Sequence, residues 1–456
     1  MLCYKTVDGT AVLSALEERM AEPTARGLAA AVGRAVADGV LAAEDRLPPI
    51  RTVAAQLGLS PTTVSAAWAV LARAGTVHTA GRRGTVVTAH RAGPQRYRRA
   101  VGAHTPFALD LSGGTPDPEL LPDLTAALRR VRPPLTPASY LDDPVLPELA
   151  ALLRADWPFA AGRLTVVDGA MDALAQIVAA HLRFGDRVAV EQPAFPPLLD
   201  LLDAAGVAPV PVRIDERGPV PGELASAVRA GVRAVFLQPR AQNPTGASLT
   251  PDRLAELAAV LQAGDALLVE DDSAGPIATT PALSLGSALP ERTLHVRSYS
   301  KSHGPDLRLA AIGGPAALVD PLVERRFLGQ GWTSRLLQAL LVDLLTHAPS
   351  LHAVARARRT YARRRTTVAG ELARLGVDVW RGDGINMWLP VRDEAAALLL
   401  LATRGIGAAP GGPFQLGSSD RPHLRVTVGL VASGHREVAA ALADAAAAGA
   451  RPAPPR

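Results

Sequence analysis

Apolar positions in the first ninety residues recur first with a helical period and then with a strand period. From Leu28 to about Asp38, the residues Leu28, Val32, Ala35 and Val36 share one helical face, and Gly39 ends the run. A second short helix is predicted from about Ile50 to Leu57, broken by Gly58, whose backbone freedom suits a tight turn. Ser60 then reads as an N-cap and Pro61 as the first residue of a third helix, with Val64, Trp68 and Leu71 on one face and Gly75 at its end. Two short helices joined by a tight turn make a helix-turn-helix, whose second helix can enter a major groove. Two strand-like runs follow, Thr76–Thr79 and Thr85–Thr88, around a tip that carries Arg82 and Arg83. That hairpin is a wing.

Beyond residue 110 the pattern alternates. Strands are predicted at Thr165–Val167, Val188–Val190, Val207–Val212, Ala234–Leu237, Leu267–Val269, Thr293–Val296 and Leu309–Ile312. Helices are predicted at Met171–Leu182, Pro196–Ala205, Leu224–Ala230 and Pro251–Ala263. Alternation of this kind argues for an α/β domain with a mostly parallel sheet and helices on both faces. From about Ala316 the pattern turns helical, with an arginine-rich stretch from Arg356 to Arg365, and a smaller α+β region follows. The expected organisation is a reader domain at 20–88, a basic linker at 89–108, the α/β domain at 109–447 and a disordered tail at 448–456. The linker holds Arg91, Arg96, Arg98 and Arg99 with little periodicity. It reads equally as a phosphate-touching arm and as a solvated tether.

Charge sharpens this division. Residues 1–100 hold 13 basic and 7 acidic side chains, a net of +6, and the remainder of the chain has a net of −1. Such asymmetry suggests an anionic partner for the first segment, with nucleic acid the leading candidate and a solvated basic surface the alternative. The single cysteine, Cys3, excludes an internal disulfide and fits a reducing compartment. No apolar run is long enough to span a bilayer, so a cytoplasmic location is expected, with no membrane partner and no metal.

The chain has only two lysines, Lys5 and Lys301. Arginine binds anions but does not lose its proton and attack a carbonyl, so a lysine at an interior position suggests a nucleophilic amine, with a chance surface lysine as the plain alternative. Its surroundings, Ser298-Tyr299-Ser300-Lys301 and Arg308, read as strand, polar turn, strand. Pyridoxal 5'-phosphate needs such an amine as a Schiff-base partner, together with a carboxylate for its ring nitrogen and an arginine and helix-start amides for its phosphate. Its ring also needs a flat apolar neighbour and a donor to its phenolic oxygen. Asp271 suits the ring nitrogen, Phe195 the ring face and Asn243 the ring oxygen. Gly169, Ala170 and Met171, at a helix start, suit the phosphate with Ser298 and Arg308. Each residue also has an ordinary structural use: a helix cap for Asp271, plain core for Phe195, a turn for Asn243, an ion pair for Arg308.

Two resemblances join these readings. The run Gly39-x-Leu41, Arg46-Leu47-Pro48, Arg51, Leu57-Gly58-Leu59-Ser60, Thr63-Val64, Leu71, Gly75 and Gly81-x-x-Gly84-Thr85 resembles the GntR-type winged helix-turn-helix. That resemblance implies DNA contacts from Arg46, Arg51, Thr62, Thr63, Arg82 and Arg83. Asn243-Pro244-Thr245-Gly246 and Ser298-x-x-Lys301-x(6)-Arg308 resemble fold-type I pyridoxal-phosphate enzymes of the aspartate aminotransferase class, over about residues 108–445. It implies that Tyr140 reaches a neighbouring subunit's phosphate, hence a homodimer, and that Arg425 grips a carboxylate. Arg240 resembles a second effector-contacting arginine. Ser273 stands where many relatives have a tyrosine. Together the two halves resemble the MocR-type transcriptional regulators. The resemblance implies a regulator that senses a small amine or amino acid, or pyridoxal phosphate itself. The alternative is an active aminotransferase with an appended reader.

Overall fold

In the computed structural model, residues 9–20, 22–37, 40–42, 45–73, 77–79, 84–87, 96, 107–132, 139, 142–417 and 421–449 are described. The chain divides into two compact units, one of residues 1–95 with 181–188 and 199–209, the other of 96–180, 189–198 and 210–456. Among the described residues, no helix is long and apolar enough to cross a membrane.

The first unit contains α1 (Gly9–Arg19), α2 (Ala25–Ala37), α3 (Ile50–Gln56) and α4 (Pro61–Arg73), followed by the hairpin β1 (Val77–Thr79) and β2 (Thr85–Val87). Val12, Leu16, Leu28, Val32, Val64, Leu71 and Val87 close one core. Gly58 sits at φ +64° between α3 and α4, as the tight turn requires. Ser60 caps α4, its hydroxyl accepting the Thr63 N–H at 3.0 Å. Helix α1, which the apolar pattern does not signal, contributes Val12, Leu13 and Leu16 to the core. A one-residue bridge at Arg46, likewise without a signal in that pattern, extends the hairpin. Leu47 N–H donates to Thr85 O and Val87 N–H to Asp45 O, and Arg46 pairs with Val86 in an antiparallel bridge.

The larger unit begins with β3 (Leu109–Asp110), α5 (Leu124–Arg130) and α6 (Pro147–Ala155). The chain then alternates through β4 (Arg163–Val167), α7 (Ala170–His181), β5 (Arg187–Gln192), α8 (Pro196–Ala204), β6 (Ala208–Asp215), β7 (Gly218–Pro219), α9 (Pro221–Arg229), β8 (Ala234–Leu237), α10 (Pro251–Leu261), β9 (Leu267–Asp272) and β10 (Thr293–Ser298), of which residues 181–188 and 199–209 belong to the first unit. A short helix α11 (Ser300–His303) leads to β11 (Ala310–Gly314). The eight-stranded sheet has the order β4-β11-β10-β9-β8-β5-β6-β7. Strands β8, β9 and β10 run parallel, and β11 is antiparallel to both of its neighbours. All six residues of β9 are buried, so its two terminal aspartates emerge at the carboxyl end of a central strand. Open parallel sheets bind ligands at that edge. Helix α10 shows how local sequence builds the layer over the sheet. Thr250 caps it by accepting from Arg253 N–H, Pro251 starts it, and Leu257, Ala258 and Leu261 turn inward.

After β11 come α12 (Ala316–Phe327), α13 (Arg335–Thr346) and α14 (Ala348–Arg374), the last holding the arginine-rich stretch in one 27-residue helix. The smaller region has β12 (Met387–Pro390), α15 (Glu394–Thr403), β13 (Ile406–Gly407), β14 (Ala409–Pro410), β15 (His423–Val426) and α16 (His435–Ala447). Its three-stranded antiparallel sheet, β12-β15-β14, packs Met387, Leu389, Leu424 and Val426 against Leu372 and Leu442. Strand β13 pairs in parallel with β3, tying the start of this unit to its end.

Candidate functional site

Strands β9 and β10 run in register, with Val296 beside Asp271 and Arg297 beside Asp272. This brings Lys301, just past β10, over the end of β9. The Lys301 amine lies 3.2 Å from Ser273 Oγ. Burial pushes its pKa below the ordinary lysine value, the Asp271 carboxylate opposes this, and Arg425 adds to the lowering. A lysine so placed gives up its proton more readily than a surface lysine.

Asp271 has one engaged oxygen and one unengaged. Its Oδ2 accepts from Gln238 Nε2 at 2.6 Å, while Oδ1 is buried without a partner. Burial raises its pKa, against the Gln238 hydrogen bond and the Lys301 charge. A buried orphan acceptor is costly, and a protonated ring nitrogen would satisfy it. Phe195, Glu191, Gln238 and Asp271 line one cavity. Phe195 therefore sits where a flat ring over Asp271 would pack.

Gln238 organises this group and escaped the sequence reading. Besides Asp271, its Nε2 contacts Ser273 Oγ at 3.2 Å, its backbone N–H donates to Glu191 Oε2 at 3.1 Å, and its Oε1 accepts from Asn243 N–H at 2.7 Å. One side chain thus orients the Asp271 carboxylate, the Asn243 backbone and the Ser273 hydroxyl. A lone glutamine carries no compositional signal, and its partners lie on separate segments.

At the start of α7, Gly169 has φ +99°, and a Cβ there would lie 2.8 Å from Arg308 Nη2. Arg308, itself left-handed at φ 49°, donates to Asp168 O at 3.4 Å. The first-turn amides of α7, Ala170 and Met171 among them, have no carbonyl one turn earlier to bond. Glycine, arginine and helix start form a cradle for an anion. Ser298, buried at the end of β10, accepts the Ser300 N–H at 3.3 Å and shapes the turn into α11. Arg326 of α12, also unforeseen, fastens the cradle with hydrogen bonds to Asp168 at 3.0 Å and Asp172 at 2.6 Å. Burial alone would raise the Asp168 carboxyl, but bonds from Arg326, Thr333 and Gln330 hold it below the usual carboxylate range.

On the side of the smaller sheet, Arg425 of β15 is buried. Its Nη2 donates to Ser112 O, and Nη1 lies 3.5 Å from Asn386 Oδ1. Gly114 makes room for it, since a Cβ there would fall 2.1 Å from Nη1. Arg240, expected at the effector, has a different partner. Its Nε and Nη2 donate to both oxygens of Asp272, at 2.8 and 2.7 Å, and Nη1 reaches Thr280 O. A buried bidentate pair of this kind braces the end of β9, and withdrawing the arginine would strand the Asp272 charge.

In the first unit, Arg46 and Arg51 are exposed. The Arg46 guanidinium lies against the wing turn, 3.2 Å from where a Gly84 Cβ would be. The hydroxyls of Thr62 and Thr63 lie 2.7 and 2.8 Å from Ser60 Oγ at the start of α4. Arg82, Arg83 and Tyr140 lie outside the described residues.

Comparison with known proteins follows the same two-part division. Residues 108–442 match the aminotransferase class I and II family, and residues 24–87 match the bacterial regulatory proteins of the gntR family. The vitamin B6 salvage pathway transcriptional repressor PtsJ of Salmonella typhimurium is 38% identical over 86% of this chain and 90% of its own. The pyridoxine biosynthesis transcriptional regulator PdxR of Corynebacterium glutamicum is 29% identical over 86% of this chain and 92% of its own. Among solved structures, an aspartate aminotransferase mutant of Thermus thermophilus superposes with a TM-score of 0.64 at 23% identity, covering 77% of this chain and 98% of its own. That likeness establishes the fold of the larger unit.

Proposed function

Because the chain belongs to the MocR-type transcriptional regulators, in which a gntR-type reader is joined to a class I and II aminotransferase domain, we propose that it couples DNA binding to a pyridoxal phosphate held at Lys301. The observation that carries this reading is the half-buried Lys301 amine beside Ser273, above the orphan Asp271 Oδ1. When bound, the cofactor supplies an aldehyde that condenses with primary amines and absorbs visible light. Lys301 offers the amine and Asp271 Oδ1 accepts from the ring nitrogen. Asn243 and Ser273 face the ring oxygen, and Phe195 packs on the ring. Gly169, Ala170, Met171, Ser298 and Arg308 hold the phosphate. Arg425 takes the carboxylate of a small amino compound whose amine competes with Lys301. The cofactor is a second candidate signal, supported by two relatives named for vitamin B6 salvage and pyridoxine biosynthesis. The working form is a homodimer, with Arg46, Arg51, Thr62, Thr63 and the wing arginines Arg82 and Arg83 on DNA.

The test begins by adding pyridoxal phosphate to the purified chain. A visible band is expected and should be lost in Lys301→Ala. Binding to the DNA upstream of the chain's own gene is then compared with and without cofactor and amines. A band-free wild type that binds DNA identically in every condition sinks the proposal.

A further inference from the structure

The hydrogen-bond polarity between Arg425 and Asn243 is forced, and the residue that forces it is Asn386, on the turn leading into β12. Asn386 is buried. Its Oδ1 faces Arg425 Nη1 at 3.5 Å and Thr427 Oγ1 at 3.2 Å. A guanidinium only donates. Thr427 Oγ1 already accepts the Gly114 N–H at 3.0 Å, so its own proton is left to donate. Two donors therefore hold the oxygen of the Asn386 amide, and its nitrogen must point the other way. There Asn386 Nδ2 donates to Asn243 Oδ1 at 3.2 Å. Asn243 in turn presents the nitrogen of its amide on the remaining side. Its backbone is pinned independently, through Gln238 Oε1. The chain of donors runs in one direction, from Arg425 through Asn386 to Asn243.

We propose that Asn386 is a positioning residue that links recognition of an effector's carboxylate at Arg425 to the donor Asn243 offers the cofactor's ring oxygen. The inference rests on the reading of the site given above. A carboxylate drawing on Arg425 changes how strongly Arg425 holds Asn386, and that change passes to Asn243. An amine without a carboxylate leaves the chain of donors untouched.

The test uses the full-length protein loaded with pyridoxal phosphate, with L-alanine and ethylamine as probes and the visible band as readout. The wild type should respond to L-alanine at lower concentration than to ethylamine. Asn386→Asp keeps the shape, but gives Arg425 a permanent carboxylate and Asn243 no donor. It should weaken the alanine response by at least about tenfold, the size expected for a lost hydrogen bond to a charged group, and weaken the ethylamine response by much less, since ethylamine has no carboxylate contact to lose. Asn386→Leu should move the pH midpoint of the band. The same change made on top of Asn243→Ala should add nothing, because the effect travels through Asn243. Thermal melts show whether each variant is folded. A wild type that forms no band refutes the cofactor reading itself. A band with no preference for alanine, or with variants that respond like wild type, overturns the role of Asn386 and leaves the cofactor reading standing.

Discussion

Glu191 and His303 are buried groups whose acidity the fold drives away from ordinary values, in opposite senses. Glu191 accepts one backbone N–H, from Gln238, and its Oε1 is buried without a partner. Burial pushes its pKa up to about 8 against the influence of Gln238 and Gln242, and the nearby Asp271 charge adds to the rise. Between its ordinary 4.5 and about 8, the folded chain keeps a proton that the unfolded chain releases. Stability from this group is therefore full below that window and is lost as pH rises through it. His303 contacts Ser302 Oγ at 2.8 Å, and its Nε2 has no partner. Burial lowers its pKa to about 4 from 6.5. The unfolded chain gains a proton there first, so stability falls as pH drops from about 6.5 to 4. Urea unfolding at a series of pH values should show a flatter alkaline limb in Glu191→Gln and a flatter acid limb in His303→Gln. Parallel curves for variant and wild type would contradict these assignments. The sequence flagged Lys301 because it is one of two lysines, and its partners followed from the chemistry that lysine needs. Gln238, Glu191 and Asn386 carried no such flag. Their importance arises only when β8, β9 and the smaller sheet converge. Arg326 was hidden among 46 arginines.

At the scale of elements, the start of α7 is the most exacting. Gly169 combines a left-handed backbone with a side that faces Arg308 directly. Gly169→Ala therefore meets two obstacles: a conformation costing about 1–3 kcal/mol for a residue with a Cβ, and a 2.8 Å clash with Arg308 Nη2. Because the added Cβ displaces the Arg308 guanidinium, pyridoxal phosphate should dissociate more readily as well. Equilibrium titration should show the affinity falling at least about tenfold, the loss of one charge-assisted contact. A variant that binds the cofactor as wild type does would separate this loop from the phosphate. The strands around it were legible because buried parallel strands are continuous apolar runs, and β8 has the predicted bounds. The bridge at Arg46 was not legible, since Asp45, Arg46 and Leu47 pair through backbone groups whatever their side chains. Helix α1 also escaped. Its 11 residues bring only Val12, Leu13 and Leu16 to the core, too few turns for a period to stand out.

For the whole molecule, charge and chemistry divide between the two ends of the chain. The excess positive charge lies in the first hundred residues, and Lys301 with its partners lies in the larger unit. DNA affinity should therefore carry a salt dependence set by the reader alone. Each phosphate contact contributes about 0.9 to the slope of log affinity against log salt, so Arg46→Ala or Arg51→Ala should lower the slope by about one per reader. Lys301→Ala, with no DNA contact to remove, should change affinity at fixed salt while preserving the slope. Coupling between the ends also has a thermodynamic signature. If an amine weakens DNA binding by some factor, saturating DNA must weaken amine binding by the same factor. Both quantities are measurable on one preparation, the first by fluorescence anisotropy of labelled DNA and the second by the visible band. Equal factors would establish that a ligand at Lys301 and DNA at the reader bias one equilibrium between two states of the chain. Unequal factors would mean that the amine acts on DNA binding by some route other than Lys301.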